Sequence, residues 1–161
     1  MNKNTLKIED RTAGDGHPCF VVAEIGSNHC RDIRLAKDLV AMAKGAGADA
    51  VKFQSLKGSR LAGPDSSRKA IDLYDKIEFR EDWYKPISRY CKEIGIMFFS
   101  SPTYPGSIDL LQQSGVNVFK IASPQAAAYP QLVEKAAVTR KPVILSTGLC
   151  TEEDIQRIVK V

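Results

Sequence analysis

The chain has 161 residues, 43% of them hydrophobic and 26% charged, which suffices to bury one core and shows none of the compositional bias of a disordered or fibrous protein. Its formal net charge is +4 and its basic residues are spread along the sequence rather than gathered in one run, so no nucleic-acid footprint stands out, whereas a small anionic ligand suits the excess. No apolar run approaches the roughly 18 residues of a membrane span, and the opening MNKNTLKIEDRTAGDG lacks the apolar core of a secretory leader, so no membrane contact and a cytoplasmic location are expected.

Residues 1–19 are set apart as an N-terminal extension. Beyond them a short β-branched or aromatic run, a polar turn and a helical stretch recur in order. FVVAEIG (20–26) predicts a first strand, DIRLAKDLVAMAKGAG (32–47) a helix, and DAVKFQ (49–54) a second strand. The segment 55–79 breaks this rhythm. It is too long and too rich in Gly, Ser, Lys and Asp for a simple connection, and its place after the second strand puts it over the carboxyl ends of the strands. Next come REDWYKPISRYCKEIG (80–95, helix), IMFFSS (96–101, strand), GSIDLLQQSG (106–115, helix), VFKIAS (118–123, strand), YPQLVEKAAVTR (129–140, helix) and PVILSTG (142–148, strand). A last helix begins at TEEDIQRIVKV, with Thr151 as its N-cap and acidic residues in the first turn, where the helix dipole favours them. Gly47, Gly95 and Gly115 stand where helices end in a left-handed residue. Strands alternating with helices predict an α/β fold with parallel pairing through right-handed crossovers. Cys19, Cys30, Cys91 and Cys150 form no CxxC pair and no Cys/His cluster at zinc spacing, and read as reduced thiols.

Side chains alternate between the faces of a strand. Val22 and Glu24 therefore share one face of the first strand and Lys52 and Gln54 one face of the second, while Lys120, Ser146 and Ser100 supply polar groups near the ends of the others. A buried lysine without a partner is costly or loses its proton. Two lysines converging on one mouth repel unless an anion lies between them, and parallel sheets bind ligands at the carboxyl ends of their strands. SSP (100–102), the Ala122–Ser123–Pro124 turn and STG (146–148, with Ser146 and Thr147) add hydroxyls and backbone N–H groups suited to phosphate oxygens. The alternative is that both lysines snorkel from an ordinary sheet edge.

VVAEIGSNH, AGADAVKFQS, GIMFFSSP, VFKIAS and KPVILSTG, in this order and spacing, resemble the N-terminal part of the sialic acid synthase (N-acetylneuraminate synthase) family, from about residue 20 to the last. The resemblance implies a (β/α)8 barrel of TIM type, of which about five β/α units are present in 20–161, followed in the family by an antifreeze-like domain, with domain-swapped homodimers. It implies condensation of phosphoenolpyruvate with N-acetylmannosamine or a related amino sugar, assisted by manganese or magnesium. By matched position, Lys52 and Lys120 would hold the anionic groups of phosphoenolpyruvate, with Ser101, Ser123 and Ser146 as hydroxyl partners. Glu24 and Gln54 would face the sugar, and Asn28 and His29 stand in the block GSNH, His29 either in direct contact or supporting the turn. Lysines that clamp the anion would orient and stabilise it electrostatically. A barrel lysine can instead form a Schiff base, so an aldolase is the rival enzyme, and a non-catalytic anion-binding module is a third reading.

Several positions depart from the family pattern. Cys30 and Arg31 follow GSNH where Asn-Gly is usual, Gln125 replaces a glutamate with an amide that cannot act as a general base, and 55–79 is shorter than the family's substrate loop, leaving the acceptor open. A whole barrel takes about 250 residues, so this chain reads as a fragment of a longer protein or a half-barrel completed by a partner chain. The family's two metal-binding histidines would lie beyond residue 161, and no metal ligand is assigned here.

Overall fold

The structure, a computed structural model, describes residues 4–61 and 67–160. It opens with a feature the strand and helix patterns do not announce. Within the extension, β1 (Thr5–Ile8) and β2 (Arg11–Gly14) pair antiparallel. Their two-residue turn puts Glu9 at φ 55, a position usually filled by glycine, which is why nothing in the sequence flags a hairpin there. Long-range contacts seat it: Asn117 donates to the Glu9 carboxylate at 3.1 Å, and Arg11 pairs with Asp49 at 2.9 Å. Asp49 also accepts from the Val21 N–H. Because Val21, Asp49 and Asn117 each precede a strand, the hairpin lies across the amino ends of the sheet and buries Ile8 there.

Five parallel strands follow in chain order. β3 (Val22–Gly26), β4 (Ala50–Ser55) and β5 (Met97–Pro102) form one hydrogen-bonded sheet, and β6 (Phe119–Ile121) with β7 (Val143–Leu145) a second. β6 packs beside β5 without a ladder between them. Each predicted strand is present: β3, β6 and β7 are shorter than predicted, while β4 and β5 keep their length and start and end one residue later.

Helices cover one side. α1 (Ile33–Gly45) starts where the Asp32 side chain accepts from the Arg34 N–H and buries Ala36 and Val40. Residues 55–79 contain α2 (Gly58–Leu61) and α3 (Arg68–Lys76), with 62–66 outside the described residues. A 3₁₀ turn (Glu81–Trp83) leads into α4 (Tyr84–Ile94). Then come α5 (Pro105–Gln113), α6 (Ser123–Ala128), α7 (Pro130–Val138) and α8 (Glu152–Ile158). Gly47, Gly95 and Gly115 all have positive φ, and the residue after each donates back five positions, Ala48 to Ala43, Ile96 to Cys91 and Val116 to Leu111. These are Schellman closures, as their sequence positions predict. Thr151 caps α8 in a reciprocal box with Asp154. The short α6 replaces the turn expected after Ser123, since Pro124 in a first helical turn costs no hydrogen bond.

The core lies between strands and helices. Val51, Phe53 and Phe98 of the sheet meet Phe79, Trp83, Tyr84 and Ile87, and Phe119 and Ile121 share the same buried cluster with Ile108, Leu111 and Leu132. Cys91 is buried there, and burial pushes its thiol up to about 12. All four cysteines are free thiols.

Candidate functional site

In parallel strands, residues paired in register point the same way. Glu24 pairs with Lys52, Lys52 with Phe99, and Gln54 with Ser101. These side chains therefore share the face turned away from the helices, and Glu24, Lys52, Gln54 and Ser101 lie toward its carboxyl end. Lys120 pairs with Ile144, and Ser146, two residues further on, falls on the same side. The expected convergence is present with one correction. Ser100 pairs with Phe53 and bonds to Ser55 at 2.9 Å inside the core; its neighbour Ser101 is the hydroxyl that meets Lys52.

The Lys52 ammonium pairs with the Glu24 carboxylate and donates to Ser101 Oγ at 3.3 Å. Its side chain is 14% exposed, against 49% for Glu24. A register shift between Glu24 and Gly26 bulges β3 at this point, as bulges do where a side chain must be re-aimed. Gly26, at φ 59, sits so close that an added Cβ would lie 3.4 Å from Glu24 Oε1.

Lys120 donates to the Ile121 carbonyl at 2.9 Å and to Ser146 Oγ at 2.5 Å, and no carboxylate pairs with it among the described residues. Burial lowers its pKa, the Lys52 charge lowers it further and Glu24 opposes both. The two ammonium groups thus share one electrostatic neighbourhood. With Glu24 the trio carries a net charge of +1, one cation compensated and one not.

Ser123 begins α6, and a Cβ on Gly148 would come within 3.9 Å of its Oγ, so the loops after β6 and β7 meet. Gln125 lies half-buried in α6 and Thr147 is exposed beyond Ser146. Asn28 is used by its own turn, its side-chain amide donating to the Ile25 carbonyl at 3.0 Å. His29 lies in the aromatic core, with ring centroids 5.3 Å from Trp83, 5.8 Å from Phe79 and 6.1 Å from Phe53. Its Nδ1 accepts from the Arg31 N–H, its Nε2 is buried without a partner, and burial lowers its pKa. The geometry therefore gives His29 a supporting position under the turn. Gly26 is the site-shaping residue that residue chemistry did not single out; a glycine two residues beyond a strand-end glutamate was the available signal.

Among the described residues no three His, Cys, Asp or Glu side chains are grouped to hold a metal ion. A hard divalent cation wants several oxygen donors, and Glu24, the one carboxylate at the mouth among the described residues, is taken by Lys52. The residues here do not fit such an ion.

Residues 39–161 match the sequence profile of the NeuB family. N-acetylneuraminate-9-phosphate synthase of Homo sapiens is 33% identical over 162 residues, covering 94% of this chain and 45% of the relative.

The chain belongs to the sialic acid synthase family.

An uncharacterized protein of Methanocaldococcus jannaschii is 43% identical over 97% of this chain and 45% of its own length. The crystal structure of N-acetylneuraminic acid synthetase from Leptospira borgpetersenii, solved with citrate, superposes with a TM-score of 0.89 at 29% identity, covering 97% of this chain and 54% of that one. The sialic acid synthase family fold is therefore that of the TIM barrel, of which this chain forms the N-terminal part. It spans a little under half the length of the curated relatives it matches.

Proposed function

We propose that this chain contributes the anion-binding half of a synthase that condenses phosphoenolpyruvate with an N-acyl-hexosamine, N-acetylmannosamine or a related sugar, to a nonulosonic acid with release of phosphate. The observation that carries this reading is the inward pair Lys52 and Lys120, one compensated by Glu24 and one not, ringed by Ser101 and Ser146. An anion with both a carboxylate and a phosphate suits two cations and several hydroxyls. Ser123 and Thr147 lie on the adjoining loops as further donors.

The chemistry balances without a covalent enzyme intermediate. The enol π pair of phosphoenolpyruvate forms the C–C bond to the open-chain aldehyde carbon, and the aldehyde oxygen takes a proton. Water adds to the phosphate-bearing carbon, its C–O bond to phosphate breaks, and inorganic phosphate leaves with the electron pair. Lys52 and Lys120 orient the anion and stabilise its charge in a partly desolvated mouth. Binding of the anion to Lys52 competes with the Glu24 pair, which frees the Glu24 carboxylate to receive a proton or bind a sugar hydroxyl beside Gln54. Gln125 can donate or accept a hydrogen bond but not exchange a proton at neutral pH, so among the described residues Glu24 is the carboxylate left for that work. Manganese or magnesium belongs to the reading through the family alone, with no step assigned to it here.

The cytoplasm is the proposed location: no helix among the described residues is long and apolar enough to cross a membrane, and exposed free thiols at Cys19 and Cys30 suit a reducing compartment. A homodimer, or completion of the barrel by further chain, is the proposed assembly.

The complete protein, given phosphoenolpyruvate, an N-acyl-hexosamine and manganese, should release inorganic phosphate. Binding of phosphoenolpyruvate with no release for any such sugar would support the non-catalytic module instead. One observation favours the Schiff-base rival, namely the lowered pKa of Lys120, which is what a nucleophilic lysine needs. Borohydride trapping with a carbonyl substrate separates the two, because only a Schiff base leaves a reduced adduct on Lys120.

A further inference from the structure

The turn after β3 adopts a geometry its residues do not favour. His29 to Asp32 is closed by the Asp32 N–H donating to the His29 carbonyl at 2.8 Å, and both central residues, Cys30 at φ 46 and Arg31 at φ 57, are left-handed. This is the type I′ pattern, which Asn-Gly fills without strain and two side chains with a Cβ do not. Strained residues persist where their surroundings over-determine them, and here two contacts do so. The Arg31 N–H donates to His29 Nδ1 at 3.2 Å, seating the turn on the aromatic cluster. The Arg31 guanidinium reaches Glu78 at 3.2 Å, a carboxylate only 15% exposed. Glu78 adjoins Phe79, which packs in the same cluster against His29 and Trp83.

Glycine at 31 would relieve the backbone and give up that ion pair. We propose that Arg31 is a positioning residue, its strained turn maintained so that the guanidinium clasps Glu78 and fixes the returning end of the β4–α4 connection to the strand that carries Glu24. A second pair, Lys57 with Glu81 at 2.5 Å, ties the outgoing end of the same connection near the start of α4. Residues 55–79 are thus held at both ends on the side where the site opens. The clasp stands independently of the synthase reading; its effect on a sugar acceptor rests on that reading.

Amide hydrogen exchange on the complete protein tests it, comparing wild type with Arg31→Gly, Arg31→Lys, Glu78→Gln and the charge-swapped R31E/E78R. We expect Arg31→Gly to keep or raise the thermal midpoint while exchange across 67–80 quickens by about tenfold, the scale of a local rather than global opening. Glu78→Gln should quicken the same amides, and Arg31→Lys and the charge swap should each restore part of the protection. In a protein that releases phosphate, Arg31→Gly should also raise the acceptor KM and leave kcat and the phosphoenolpyruvate KM near wild type. Unchanged exchange at 67–80 in both Arg31→Gly and Glu78→Gln would overturn the clasp, as would a uniform rise over the whole chain with a lowered midpoint. Absence of phosphate release in wild type would count against the synthase reading and leave the exchange result to decide the clasp by itself.

Discussion

Lys120 is half-buried with no carboxylate partner among the described residues, and its lowered pKa means that the folded state resists its charge. Lys120→Met should therefore keep or raise the urea midpoint while weakening phosphoenolpyruvate binding, a separation that a merely structural lysine would not show. His29 offers a pH test with the sign fixed by burial. Its folded pKa lies below the ordinary 6.5, so the unfolded chain binds the proton more readily. Its contribution is complete above about pH 6.5 and is lost as the pH falls toward the lowered folded value. Urea midpoints at pH 8 and pH 5.5 should differ in wild type, and His29→Phe should narrow the gap; an equal gap in both would assign the acid sensitivity elsewhere. Cys30→Asn should stabilise by about 0.5–1 kcal/mol, because asparagine tolerates the left-handed conformation that cysteine does not. Parity alone located Lys52, Gln54, Lys120 and Ser146 on the face turned away from the helices. It failed at Ser100, where a one-residue offset reverses the face and only the ladder with β4 fixes the offset. Asn28 and His29 lie in a turn, where no periodicity applies, and their placement depends on the bulge in β3 and the aromatic cluster beneath.

At the level of elements, the alternation of strands with helices was legible because hydrophobic period and glycine punctuation agree, as at α1, α4 and α5 with their Schellman ends. The hairpin and three short helices escaped the pattern, for three separate reasons. The β1–β2 hairpin turns on Glu9, whose left-handed backbone is held by the distant Asn117. α6 hides behind a proline that reads as a turn signal, and α2 and α3 are short helices in a polar stretch. Packing between the last two is tight at Gly58, where an added Cβ would lie 2.6 Å from the Ile71 carbonyl oxygen and 2.4 Å from Asp75 Oδ1. Gly58→Ala should therefore push α2 off α3, seen as faster exchange in 68–76, with the barrel strands unaffected. Equal protection in the variant would mean that the two helices accommodate the methyl group without parting. Thr151→Ala should cost about 1 kcal/mol by removing the capping box of α8.

Across the whole molecule, the strands run as staves of one barrel with the hairpin across their amino ends and the charged residues at their carboxyl ends. β7 is half-exposed along Val143, Ile144 and Leu145, and Leu149 beyond it is exposed. An unpaired apolar strand edge invites association, so the 161-residue chain by itself should sediment heavier than a monomer, whereas a monodisperse monomer would show that this edge is already protected. On the proposed reading the mouth needs both cations at once, because each strand supplies one and neither alone matches a ligand with two anionic groups. Titration calorimetry of phosphoenolpyruvate against the complete protein and its Lys52→Met and Lys120→Met variants addresses this directly. Each substitution should weaken binding by tenfold or more, about 1.4 kcal/mol, and wild-type affinity should fall as the pH rises through the lowered pKa of Lys120, with that dependence absent in Lys120→Met. Unchanged affinity in both variants would contradict a shared anion site between Lys52 and Lys120.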